Sequence, residues 1–96
     1  MKEKKELNKP IQLGSIVFSK MGRDSGRFFI VTEIVDDSYV MIADGDIRRL
    51  EKPKKKKIKH LKSIGVKSDK IREKLLDNTK IYDAEIYSII RKYNSK

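Results

Sequence analysis

Apolar positions divide this chain into two regimes. Up to about Leu61 they come in short runs rich in β-branched and aromatic side chains, separated by glycine and aspartate; from Ile71 onward they recur at helical intervals. Residues 15–20 (SIVFSK), bounded by Gly14 and Gly22, predict a first strand. Residues 22–26 (GRDSG) are turn formers. Residues 27–35 (RFFIVTEIV) predict a longer second strand that is apolar on both faces, with Phe28, Ile30 and Ile34 on one side and Phe29, Val31 and Val35 on the other. Asp36 and Asp37 turn the chain into a third strand at residues 39–43, and Asp44-Gly45 turns it again. A short fourth strand is expected at residues 47–50, a break at Pro53, and a fifth strand at residues 57–61. Five short strands with glycine or aspartate turns between them predict a small antiparallel barrel, because closure removes exposed edges from a short sheet.

The remainder reads as helix. Ser68 or Asp69 can cap a short helix carrying Ile71, Leu75 and Leu76, which Asn78-Thr79 ends. Beyond it, Tyr82, Ile86, Ile89, Ile90 and Tyr93 fall on one stripe of a second helix. Packing on the barrel is the default cover for that stripe, with a partner protein or a second copy as the alternative. The expected organisation is therefore a loose tail at residues 1–12, a barrel at residues 13–62 and a helical extension at residues 63–96, mainly β with C-terminal α.

Charge changes this picture more than composition does. Of a net charge of +10, residues 51–62 contribute +6, with seven lysines against one glutamate, while residues 14–50 carry a net −1. Such a cluster attracts polyanions. The plain alternative is a solvated, lysine-rich surface, and 18 lysines against 6 arginines keep it in play. Catalysis is not expected. With no cysteine and the single histidine His60, the chain lacks the ligands of a thiolate or multi-histidine metal centre and the parts of a nucleophilic triad. The aspartate pairs Asp36/Asp37 and Asp44/Asp46 sit at turns, where aspartate bonds the local backbone. Gly22 and Gly26 lack the lysine and hydroxyl residue that complete a phosphate-binding P-loop. No cofactor is expected. No stretch approaches the roughly 20 apolar residues of a membrane span, and the charged start of the chain lacks the apolar region of a signal peptide, so a cytoplasmic location is expected.

Nucleic acid is the polyanion these residues suit best. Lysines neutralise phosphates and release counterions, which gives steep salt dependence and weak sequence preference. The candidates are Lys52, Lys54, Lys55, Lys56, Lys57, Lys59 and Lys62, with Arg48 and Arg49 just upstream and Lys20, Arg23 and Arg27 framing the glycine loop. In a strand at residues 57–61, Ile58 points inward while Lys57, Lys59 and Leu61 point outward. Arginine adds planar, bidentate recognition of phosphate, and exposed amides of a glycine loop can bind phosphate oxygens. Tyr39 is the best-placed aromatic for stacking on a base; Phe28 and Phe29 read as core, and His60 as an ordinary surface residue.

Residues 14–31 (GSIVFSKMGRDSGRFFIV) resemble a KOW motif, a glycine-led hydrophobic strand, a loop closed by a near-obligatory glycine and a second hydrophobic strand, with Gly14, Gly22 and Gly26 as the loop glycines. Gly26 falls on the hallmark position. Together with the continuation through residues 34–45 and the stretch ADGDIRRL at residues 43–50, the chain is similar to the KOW-bearing large-subunit ribosomal proteins of archaea and eukaryotes, and more so to their short bacterial relatives, the KOW domain-containing RNA-binding proteins. The resemblance spans residues 13–62, about half of the chain. It implies an SH3-like five-stranded barrel, RNA contacts from Lys20, Arg23 and Arg27, and association with ribosomes or translation, ribosomal RNA being one such partner. The helices after Leu61 match no ribosomal-protein extension. KOW barrels also occur in transcription elongation factors where the barrel binds protein, so a protein-interaction module using the barrel or the C-terminal helix is the second reading. Attachment to an anionic membrane ranks last, since the lysine run carries neither a lipidation motif nor an amphipathic basic helix. Nothing in the pattern fixes an oligomeric state.

Overall fold

A computed structural model of the chain describes residues 11–94. It contains β1 (Ser15–Ser19), β2 (Phe28–Ile34), β3 (Tyr39–Ala43), β4 (Lys54–Lys57), a 3-10 turn (Ile58–His60), β5 (Leu61–Lys67), α1 (Asp69–Asp77) and α2 (Asp83–Asn94). The strands form one antiparallel sheet in the order β4-β3-β2-β1-β5. Its two outermost strands are consecutive in the chain and joined by the 3-10 turn alone. Ile58 N–H donates to the Ser38 carbonyl (2.8 Å) and Lys20 N–H donates to the His60 carbonyl (2.9 Å), so the turn ties the β3 side of the sheet to the end of β1. The sheet is thereby rolled into a small five-stranded barrel, followed by the two helices.

Two apolar clusters share β1 and β2. Val17, Phe29, Val31, Val40, Ile42 and Leu61 fill the barrel, joined by Ile11. Alternation along the strands sends Ile16 and Ile30 to the opposite face, where Ile71 of α1 and Ile86 and Ile90 of α2 bury them. The stripe on α2 is thus covered by the barrel itself. Tyr82 precedes the helix and is 60% exposed, so the stripe begins at Ile86 rather than at Tyr82. Ser68 caps α1 by accepting the Ile71 N–H (3.3 Å), and Asn78 ends it in the left-handed conformation (φ 59°). Both ends of α2 are fastened. Asp83 accepts the Leu50 N–H (2.7 Å), while the Asn94 amide accepts from Phe28 N–H (2.8 Å) and donates to the Phe28 carbonyl (3.2 Å), much as a neighbouring strand would. Close approach requires glycine at two points: a Cβ at Gly45 would lie 2.3 Å from the Asp83 carbonyl oxygen, and one at Gly14 would lie 2.8 Å from that of Ser68.

Several expectations are corrected. Residues 1–10 of the expected tail lie outside the described residues, but Ile11 is only 6% exposed and belongs to the barrel core. No strand forms at residues 47–50. There the Asp44 carboxylate accepts the N–H groups of Asp46 and Arg48 (both 2.9 Å), which holds the backbone in a turn and leaves Ile47 exposed. The lysine run itself is β4; lysine suits an edge strand because it discourages further pairing. The expected fifth strand at residues 57–61 is instead the 3-10 turn, and the true β5 continues to Lys67, five residues past the expected end of the barrel. Leu61 consequently points into the core rather than outward. A bulge in β2 between Val31 and Glu33 turns Ile34 to the barrel interior, away from the face of Ile30.

Docking of α2 on its own barrel predicts that Ile86→Ala lowers unfolding stability by about 2–5 kcal/mol in urea titrations. Tyr82→Ala, outside the cluster, should stay within about 0.5 kcal/mol of the parent.

Candidate nucleic-acid interface

The glycine loop, the segment after β3 and β4 come together, and some of their basic residues are used in joining them. Lys56 lies opposite Val40 in the sheet, so its side chain points to the interior side; it is 7% exposed, and its ammonium donates to the Met21 carbonyl (2.6 Å). Arg48 forks onto Asp24, with Nε at 3.2 Å and the closest ion contact at 3.1 Å. Arg27 meets Asp44 at 3.4 Å. Both carboxylates are buried, Asp24 at 5% and Asp44 at 0% exposure, so each needs a positive partner close by. Lys56, Arg27 and Arg48 therefore act as struts between the loop and its neighbours. As RNA contacts these three are less available than the other candidates: Arg27 and Arg48 are paired with buried carboxylates, and Lys56 is almost wholly buried. Gly22 and Gly26 sit in the loop with left-handed backbones (φ +90° and +88°), and a Cβ at Gly22 would come within 2.7 Å of the Lys56 ammonium.

The other candidates point outward. Lys20, Arg23, Arg49, Lys52, Lys55, Lys57, Lys59 and Lys62 are exposed and Lys54 is half-buried. None of the nine has a carboxylate within ion-pairing distance among the described residues. They do not form one continuous patch. Arg49 and Lys52 border a shallow groove after β3 that also contains Asp46 and Glu51, so its charge is mixed. Lys62 stands opposite Phe18 on β5. A third group lies at the 3-10 end of the barrel, where Lys57 and Lys59 lie beside His60 in the chain and Lys20 N–H bonds the His60 carbonyl (2.9 Å). The His60 imidazole is held below its ordinary value by partial loss of solvation, then by the positive charges of Lys57, Lys56, Lys59 and Lys20.

Beside this group, Lys57, Ile58 and Lys59 face Asp37, Ser38 and Tyr39 across a groove of about 430 Å³. Tyr39 is directly opposite Lys57 in the sheet, and the Lys55 ammonium sits 4.7 Å from the centre of its ring. The Asp36 carboxylate accepts the N–H groups of both Ser38 and Tyr39 (2.8 Å each), which fixes the turn that forms the far wall. Reading the sequence singled out Tyr39 and the lysines but missed Asp37, Ser38 and Ile58. It also missed the struts; the one available hint was an aspartate, Asp24, inside an otherwise basic loop.

Among the described residues no group of three or more histidine, cysteine, aspartate or glutamate side chains is placed to hold a metal ion. No described helix is long and apolar enough to cross a membrane. A scan against protein-family models finds no match for the chain, and a search of curated proteins finds none either.

The lysines about His60 set a pH dependence. Because the folded state holds His60 below its ordinary value of 6.5, the folded chain binds fewer protons than the unfolded chain as pH falls through that value. Stability attributable to His60 is therefore full above 6.5 and declines as the solution is acidified through the folded-state value. Thermal unfolding between about pH 8 and pH 5 should show this decline in the parent and a shallower one in His60→Gln.

Proposed function

We propose that this chain is a non-catalytic RNA-binding protein that holds RNA by its phosphates on the basic surface formed by β4, the 3-10 turn and the end of β1. One observation carries the reading: Lys57 and Lys59 lie beside His60 on the 3-10 turn, Lys20 N–H bonds the His60 carbonyl (2.9 Å), and none of the three side chains has a carboxylate within ion-pairing distance among the described residues. Keeping like charges together lowers the stability of the free protein, and a polyanion relieves that cost by neutralising them. Lysine ammonium groups offer point charges without a fixed donor geometry, so the surface suits phosphates more than base edges. Its KOW-like residues point the same activity toward ribosomes or translation. The protein-interaction reading through α2 has lost its main support, since the stripe that would receive a partner is buried against β1 and β2.

The test compares binding of a 20-nucleotide RNA, followed by fluorescence anisotropy over a salt series. Replacing Lys20, Lys57 and Lys59 together by alanine should weaken binding at least tenfold at low salt. It should also reduce the log–log salt slope by about 0.7 per lost phosphate contact on a single strand. Lys56 is left in place because it supports the loop. The same number of alanines at Lys70, Lys80 and Lys92, on and between the helices, should change neither quantity. Equal binding by the two triple variants would refute the proposal.

A further inference from the structure

We infer that the groove between Tyr39 and the 3-10 turn receives one unpaired base of a single-stranded RNA, stacked on the Tyr39 ring, with its flanking phosphates on Lys57 and Lys59. The inference rests on the RNA-binding reading and narrows it to a class of ligand and a seat for it.

The groove has the size, shape and chemistry that a nucleotide needs. At about 430 Å³ it falls among small-molecule sites rather than extended peptide channels. Its lining includes one aromatic residue, Tyr39, whose ring offers a face on which a flat base can stack. Lys57 and Lys59 stand on the rim formed by β4 and the 3-10 turn; the opposite rim is Asp37 and Ser38. The Ser38 hydroxyl, which makes no hydrogen bond within the described residues, is left to meet a base edge.

The seat is also rigid. The Ser38 carbonyl takes the Ile58 N–H (2.8 Å), joining the two rims, and the Asp36 carboxylate fixes the amides of Ser38 and Tyr39. Lys55 packs its ammonium on the Tyr39 ring but does not line the groove, so it steadies the ring without filling the space beside it. A pre-formed seat avoids the entropy of ordering a loop on binding. A double helix cannot use it, because paired bases are stacked inside the duplex and offer only backbone and groove edges to a protein. An unpaired base has a free π-face whatever its identity, which predicts tolerance of sequence.

The experiment has three arms on the full chain. In the first, a ten-nucleotide RNA of mixed sequence carrying 4-thiouridine is crosslinked to the parent chain, and the adducts are mapped by mass spectrometry. Adducts at Tyr39 or Ile58 are expected, and adducts confined to residues outside the groove overturn the inference without depending on any variant folding. In the second, Tyr39→Phe should hold the same RNA within about twofold of the parent, whereas Tyr39→Leu, which keeps the bulk but not the ring, should lose about fivefold or more. A fully paired duplex of the same sequence should bind equally to both variants. Parent-like binding of the single strand by Tyr39→Leu, with binding lost in the Lys20, Lys57 and Lys59 variant, overturns the stacking seat and leaves the RNA-binding reading standing. Full binding by that lysine variant overturns the RNA-binding reading itself. In the third, a decamer of glutamate serves as competitor; displacement of the RNA at lower concentration than unlabelled RNA needs would assign the groove to acidic peptide and overturn the inference.

Discussion

The constraint on which this architecture turns is that β1 and β2 are apolar on both faces. One face closes the barrel around Val17, Phe29 and Val31; the other, with Ile16 and Ile30, is equally unable to face water. A barrel alone leaves that second face uncovered. The two helices resolve the difficulty by supplying Ile71, Ile86 and Ile90, and the fastening of α2 at Asp83 and Asn94 holds them in register with the sheet. In a chain of 96 residues this arrangement lets two thin clusters share the same two strands instead of requiring one larger core.

Covering one side of the barrel leaves the basic surface to the other. The outward face of β3 and β4 carries Tyr39, Lys55 and Lys57, and both lysines are exposed. Within the basic residues there is a further division. Arg27, Arg48 and Lys56 are turned inward by buried Asp44, buried Asp24 and the Met21 carbonyl, and they hold the glycine loop against β4 and the segment after β3. Lys20, Lys57 and Lys59 are not so engaged among the described residues. The structure thus separates lysines and arginines that build the scaffold from those left available to a ligand.

Much of the fold was legible because its main determinants are local. The β-branched runs, the aspartate and glycine turns and the helical spacing of Ile86, Ile89 and Ile90 gave three strands and both helices close to their observed bounds. What was misread depends on contacts distant in sequence or on single-residue slips in register. A lysine tetrapeptide reads as loop until Val40 and Ile42 stand opposite it to form β4. Residues 63–67 fall in the expected helical extension, yet they continue β5 and pair with β1 across an irregularity between Ser15 and Val17. The β2 bulge moved Ile34 to the other face. In the candidate site, residue types were legible but burial was not: Lys56 and Lys57 are adjacent and chemically identical, and only the pleat makes one a strut and leaves the other outward.

The central claim, that RNA is held at the 3-10 end of the barrel and not on the helices, is tested most directly by titrating a short single-stranded RNA into isotope-labelled protein and following backbone amide shifts. Perturbations are expected to concentrate at Lys20, Ser38, Tyr39 and residues 57–61, with α1 and the exposed Tyr87 side of α2 unmoved. Perturbations centred on α2, or no saturable change at low salt, would contradict it.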